Sequence, residues 1–230
     1  METAPQTFWL ENLKFANQYN GWIFSQICPY LGREVLEVGC GNGNFTVFLA
    51  EQASRVVAVD LNEKYVKEAK TRLKGKRGVE VLVADATQIQ WELRFDTVVM
   101  LDVLEHIEND ANMLLQLGSC LNPGGKLIIK VPALECLYSP MDKAIGHYRR
   151  YEKKTLIKAF RNAYFSRPLV WYFNLAGIPG WWFNGKVLLR TTPPSEQVKL
   201  FNQIVPALSA IEARIKPPIG LSLFAVANKL

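Results

Sequence analysis

Three glycines alternate with other residues in Leu36-Glu37-Val38-Gly39-Cys40-Gly41-Asn42-Gly43-Asn44. That spacing lets a backbone turn sharply and admit a ligand against the main chain. Where a helix follows, its first amides and the positive end of its dipole face the same space. Tight-turn packing is the plainer explanation of such glycines. Two carboxylates support the chemical one: Asp60, placed to accept both hydroxyls of a ribose, and Asp85 of Ala84-Asp85-Ala86, placed near an adenine. A surface turn for Asp60 and a helix cap for Asp85 are the structural alternatives.

The only two histidines are the candidates for general-base work near neutral pH. His106 stands in Asp102-Val103-Leu104-Glu105-His106, and His147 in Gly146-His147-Tyr148-Arg149-Arg150-Tyr151. His106 divides evenly between a structural and an active-site role. His147 is the better base candidate; its alternative is a loop histidine bonded to backbone. Arg149 and Arg150 could clamp a carboxylate or phosphate bidentately, with Tyr148 beside them. They could equally pair with Asp142 or Glu152 and pin the loop.

The elements that position these residues follow from hydrophobic pattern. Short β-branched runs alternate with helical patterns, which predicts an α/β fold with a parallel sheet covered by helices. Strands are expected at 34–39, 55–60, 79–84, 95–101 and 126–131, with near-continuous apolar runs that imply burial on both faces. Helices are expected at 43–52, 63–73 and 110–121, and a turn at Asn122-Pro123-Gly124-Gly125. Residues 133–151 read as a loop of about 20 residues, a length that usually marks function. A helix at 152–162, strands at 166–173 and 220–227, and helical stretches near Gly185 and over 195–215 complete the chain. Asp60, Asp85, His106 and His147 then all fall at the carboxyl ends of strands, where open α/β sheets bind ligands.

Composition bounds the rest. With 230 residues, 49% hydrophobic and 21% charged, the chain suits one globular domain. The net charge of +6 invites a nucleic-acid reading. The longest basic cluster, Lys70, Arg72, Lys74, Lys76 and Arg77, is instead a solvated helix end. Attraction to anionic substrates or membrane surfaces stays open. Cys28, Cys40, Cys120 and Cys136 lack metal-ligand or disulfide-framework spacing, so no metal is expected. The opening METAPQTFWLEN has no signal-peptide pattern and no stretch is long and apolar enough to span a bilayer, so a cytoplasmic protein is expected.

In order and spacing, LEVGCGNG, VVAVD, ADAT, FDTVVMLDVLEHI and LNPGGKLIIKVP resemble the successive motifs of class I S-adenosylmethionine (SAM)-dependent methyltransferases over residues 34–132. The resemblance implies a Rossmann-like, seven-stranded, mostly parallel sheet with an antiparallel last strand and helices on both faces. It implies that Glu37, Gly39, Cys40, Gly41 and Gly43 hold the methionine and ribose end of SAM. Asp60 with Leu61 would take the ribose hydroxyls, Asp85 with Ala86 the adenine, and Leu101 or Asp102 the methionine side. The product would be S-adenosylhomocysteine. A nicotinamide dehydrogenase is the rival, but its GxGxxG pattern needs glycine where Asn44 stands, and Glu37 would repel a pyrophosphate.

The segment PMDKAIGHYRRYEKKTL resembles a subgroup of bacterial methyltransferases found alongside glycan, lipid-carrier or secondary-metabolite genes, which implies a substrate lid. Two aromatic regions would complete it. The first is Phe8, Trp9, Phe15, Tyr19 and Trp22, which could fold as a helix over the cofactor; core packing is the bland alternative. The second runs from Trp171 through Trp181-Trp182-Phe183, suited to an apolar acceptor or a membrane interface. The expected organisation is one domain: residues 1–33 as N-terminal lid helices, 34–132 as the SAM-binding core and 133–230 as the acceptor-binding half. The fourth strand lacks the Asn/Asp-Pro-Pro-aromatic sequence of amino-methylating nucleic-acid enzymes, and no Pro-Cys nucleophile follows. A small-molecule acceptor is expected, with O-methylation ahead of N-methylation. A non-catalytic SAM-binding regulator is the alternative of another kind.

Overall fold

The computed structural model describes residues 4–86, 88 and 94–230. Thr87 of the ADAT motif lies outside them. The apolar runs form β1 (Glu34–Val38), β2 (Arg55–Asp60), β3 (Val79–Val83), β4 (Phe95–Leu101), β5 (Leu121–Pro132), β6 (Leu169–Phe173) and β7 (Ser222–Asn228). They make one sheet in the order β3-β2-β1-β4-β5-β7-β6. Strands β1 to β5 pair in parallel, and β7 inserts antiparallel between β5 and β6. The sheet is the Rossmann-like one expected. Its order reverses between β1 and β4, the switch point where such sheets open a crevice at their carboxyl edge.

Alternate residues of each strand feed opposite cores, as the pleat requires. Leu36, Val38, Val98, Met100 and Ile129 pack with Met113, Leu114 and Leu117 of α5 (Asp110–Ser119) and with Leu156 and Phe160 of α7 (Lys153–Asn162). Val35, Val56, Val99 and Ile128 pack on the other face. Their partners are Ile23 and Ile27 of α2 (Asn17–Ile27), Leu49 of α3 (Thr46–Gln52), and Val66 and Ala69 of α4 (Glu63–Arg72). Burial on both faces explains the absence of polar alternation in the strands.

Three segments differ from the sequence expectation. The helix after the glycine turn starts at Thr46 rather than residue 43, because three successive left-handed glycines keep the chain turning. The expected turn at 122–125 belongs instead to an irregular start of β5, with a register shift opposite Phe95 and Thr97. The long loop contains a short helix, α6 (Pro140–Ile145), nucleated by local chemistry. Ser139 and Asp142 form a capping box, Pro140 opens the first turn and Gly146 closes it with φ of 87°. The remaining helices, α1 (Ala4–Leu13), α8 (Gly177–Trp182) and α9 (Ser195–Ile215), stand at the carboxyl edge with α6. Among the described residues no helix is long and apolar enough to cross a membrane.

Candidate active site

The glycine turn is tied to its neighbouring strand before any ligand arrives. Gly39 and Cys40 donate their N–H groups to the Val59 carbonyl at 2.8 and 3.0 Å. Gly39, Gly41 and Gly43 have φ of +78°, +53° and +77°, a region costly for other residues. A Cβ on Gly39 would lie 2.2 Å from Val103 Cγ2. Gly41 donates its N–H to Asp60 Oδ2 at 2.8 Å, and Asn62 donates to Asp60 Oδ1 at 2.9 Å. Asp60 therefore organises the turn, and each oxygen keeps a lone pair for a hydroxyl. Burial raises its pKa against the pull of those N–H groups.

Glu37 is buried, with Oε2 accepting the Thr46 hydroxyl at 2.6 Å. Burial pushes its pKa up to about 7; the Thr46 bond lowers it and the charge of Asp60 raises it further. Such a carboxyl is matched to an arriving cation. Asp102, also left-handed at φ 53°, receives Lys130 Nζ on Oδ1 at 2.6 Å. Burial opposes the Lys130 charge, but Asp102, together with Tyr19 and Glu105, outweighs it and raises the lysine's pKa.

A cavity of about 1030 Å³ runs along this edge. Its walls include Glu37, Gly39, Cys40, Gly41, Asp60, Leu61, Asp85, Ala86, Leu101 and Asp102. They also include Tyr19, His106, His147, Arg150 and Trp181. One volume of this size, at the upper end for a small-molecule site, has room for two ligands side by side. Four expected site residues lie elsewhere. Gly43 packs against Ala69 of α4, whose Cα would sit 3.2 Å from an added Cβ. Trp22 is core, its ring centroid 4.3 Å from that of Phe173. Tyr148 is exposed, and Arg149 bonds Asp110 at 3.0 Å and the Glu108 carbonyl at 2.7 Å. Within one short stretch His147 and Arg150 are buried, while Tyr148 is exposed and Arg149 half-buried.

The buried pair forms a network. His147 Nδ1 lies 3.0 Å from Asp142 Oδ1. Arg150 Nε donates to the same oxygen at 2.8 Å, and its Nη1 reaches the Ala133 carbonyl at 2.9 Å. Ser139 donates its N–H and hydroxyl to Asp142 Oδ2 at 2.9 and 3.0 Å. Arg150 also lies 4.5 Å from the ring centre of Trp181, which stacks on Trp9 of α1. Glu105 is fully buried on the cavity wall, 3.6 Å from His147 Nε2, and neither oxygen has a hydrogen-bond partner among the described residues. Burial, then the charge of Asp102, raises its pKa well above the carboxylate range. Burial and the neighbouring His147 depress His106 to about 4, so its imidazole is neutral at physiological pH.

Sequence reasoning missed Lys130, Glu105 and the positioning of His147 by Asp142. Each left a signal: a lysine within a buried strand, a glutamate in an apolar turn, and Ser-Pro-x-Asp ahead of the histidine.

Residues 36–129, less than half of the chain, match the family model of a methyltransferase domain. The ubiquinone biosynthesis O-methyltransferase of Rickettsia felis is 36% identical over 98 residues, which are 42% of this chain and 40% of the relative. That of Coxiella burnetii is 31% identical over 104 residues, 42% of each chain. The matches thus span less than half of these curated relatives. Over the whole chain the likeness is one of fold. A SAM-dependent methyltransferase from Archaeoglobus fulgidus superposes with a TM-score of 0.66 at 18% identity, covering 96% of this chain and 99% of its own. The N-methyltransferase NodS of Bradyrhizobium japonicum with S-adenosylhomocysteine gives 0.58 at 15% identity, over 93% and 86%.

Proposed function

We propose that the protein is a SAM-dependent methyltransferase that O-methylates a small-molecule acceptor bearing an apolar body or an anionic group. The carrying observation is that one cavity joins a buried, cation-seeking Glu37 and a hydroxyl-ready Asp60 to the His147–Asp142 pair. The residues fit SAM: Glu37 suits its ammonium or sulfonium charge, Asp60 its ribose and Asp85 its adenine edge. A dinucleotide fits badly, since its phosphates would meet Glu37 and Asp60. When bound, SAM supplies a methyl group on a sulfonium, open to in-line attack.

The chain's own task is to align and activate the acceptor. Asp142 accepts the Nδ1 proton of His147, which leaves the Nε2 lone pair toward Glu105 and the cavity. From there His147 removes the acceptor's hydroxyl proton. Neutral His106 and the Trp9–Trp181 stack limit water and shape an apolar wall. Tyr19, on the same wall, and Arg150 contact the acceptor, Arg150 as a positive charge held in place by Asp142 and the Ala133 carbonyl. N-methylation of a small amine is the second reading, favoured by Glu105, whose carboxylate could bind the ammonium form and accept its proton so that the neutral amine attacks.

Residues 1–230 then act as one unit, with 1–33 as lid helices, 34–132 as the cofactor half and 133–230 as the acceptor half. The free thiols of Cys28, Cys40, Cys120 and Cys136 suit the cytoplasm. No nucleic acid is among its partners. Incubation with methyl-labelled SAM and a panel of sugars, lipid-linked glycans, phenols and amines tests this. Label on a hydroxyl oxygen with release of S-adenosylhomocysteine is expected. Tight SAM binding with no turnover across the panel would instead indicate a non-catalytic regulator.

A further inference from the structure

Beside the cavity the chain exposes a cluster of apolar side chains. Trp181 and Asn184 line the cavity, whereas their neighbours face solvent: Trp182 is 51% exposed and Phe183 50%. Val187, Leu188 and Leu189 follow, Leu189 at 65%, bracketed by exposed Lys186 and Arg190. On α9 the exposed residues Leu200, Ile204, Ile211 and Ile215 recur at spacings of four, seven and four, which holds them on one line of the helix. Val198 and Phe201 of the same helix line the cavity. Single exposed apolar residues need no explanation, but a cluster of this kind marks an interaction surface.

We infer that the α8–α9 surface seats the protein on an anionic lipid bilayer, beside the wall of its acceptor cavity. Charge selects this occupant. Residues 182–219 carry five cations, Lys186, Arg190, Lys199, Arg214 and Lys216, against two acids, Glu196 and Glu212. Glu212 is turned to the Asn174 and Leu175 N–H groups at 3.0 and 2.6 Å, and Glu196 is paired with Lys199 at 2.8 Å. A symmetric second copy would set the same cations against one another, whereas anionic headgroups complement them. Exposed Trp182 and Phe183 suit the interfacial depth, with the aliphatic residues below it. The inference does not depend on the methyl-transfer reading.

The test is co-sedimentation of the full chain with vesicles of phosphatidylcholine alone or with about one-third phosphatidylglycerol. Partition onto the anionic vesicles is expected to be about tenfold stronger and to weaken with salt. Lys186→Gln should reduce it about fivefold. Leu188→Asp with Leu189→Asp should abolish it while the thermal melt by circular dichroism is unchanged; if that double variant melts early, Leu200→Asp takes its place. Equal partition onto both vesicle types, binding that survives these variants, or a dimer by sedimentation equilibrium that they dissolve would each overturn the proposal.

Discussion

Asp142 Oδ1 lies 3.0 Å from His147 Nδ1 and receives Arg150 Nε at 2.8 Å, so one buried oxygen sets both the histidine's tautomer and the arginine's position. Burial alone would raise the Asp142 pKa, but the hydrogen bond from His147 and the charge of Arg150 outweigh it and hold the carboxyl low. A depressed folded pKa stabilises the fold above the ordinary carboxylate value, and that contribution is lost as pH falls through the folded value.

Asp142→Asn is therefore expected to act on catalysis and acid stability together. The amide cannot fix Nδ1–H as firmly, so kcat should fall about 100-fold, with acceptor KM little changed. The acid-unfolding curve should lose the part due to Asp142. Steady-state kinetics from pH 5 to 9 and urea melts at several pH values check both. An unchanged kcat would remove His147 from the base role.

Asp60 ties the glycine turn to the end of β2, where the ribose is proposed to lie. Asp60→Ala deletes the acceptor of the Gly41 and Asn62 N–H groups together with the proposed ribose bonds. Charge-assisted hydrogen bonds are worth about 1.5–3 kcal/mol each, so SAM affinity should fall at least about 100-fold. Calorimetry on the folded variant checks this. Unchanged affinity would refute the ribose assignment.

These two sites were not equally legible in the sequence. Strands such as Val35–Val38 announce themselves because both faces are buried, and β-branched runs have few other uses. Asp60 was readable because its place, at the end of β2, follows from the chain order. Tyr148 and Arg149 were not, since four functional residue types stand in a row and only the folded chain decides which of them are buried. Trp22 failed similarly: on α2 it falls on the core face, against Phe173, while Tyr19 reaches the cavity. Lys130 hid inside an apolar strand because its partner, Asp102, comes from a different strand end.

Trp181 links the cavity wall to α1. Its ring stacks on Trp9 at 5.8 Å and lies against Arg150. Trp181→Ala should raise acceptor KM about tenfold or more and leave SAM affinity intact, because the glycine turn and Asp60 are untouched. Calorimetry for SAM beside kinetics for the acceptor separates the two. Equal loss of both would place Trp181 in the cofactor site.

Glu37 should trade stability for binding. Its folded pKa of about 7, raised from 4.5 by burial, means the folded state binds a proton more tightly than the unfolded chain. The stabilisation this gives is complete below 4.5 and is lost as pH rises through 7, a swing of about 3 kcal/mol in the ligand-free protein. Glu37→Gln, neutral throughout, should melt higher than the parent above pH 7 and lose its affinity for SAM. In the parent, an arriving positive charge favours the carboxylate, so SAM binding at pH 6.5 should release a proton. Calorimetry in buffers of different ionisation enthalpy measures that proton directly. A binding enthalpy independent of buffer, with a Glu37→Gln variant that still binds, would assign the cation to another carboxylate.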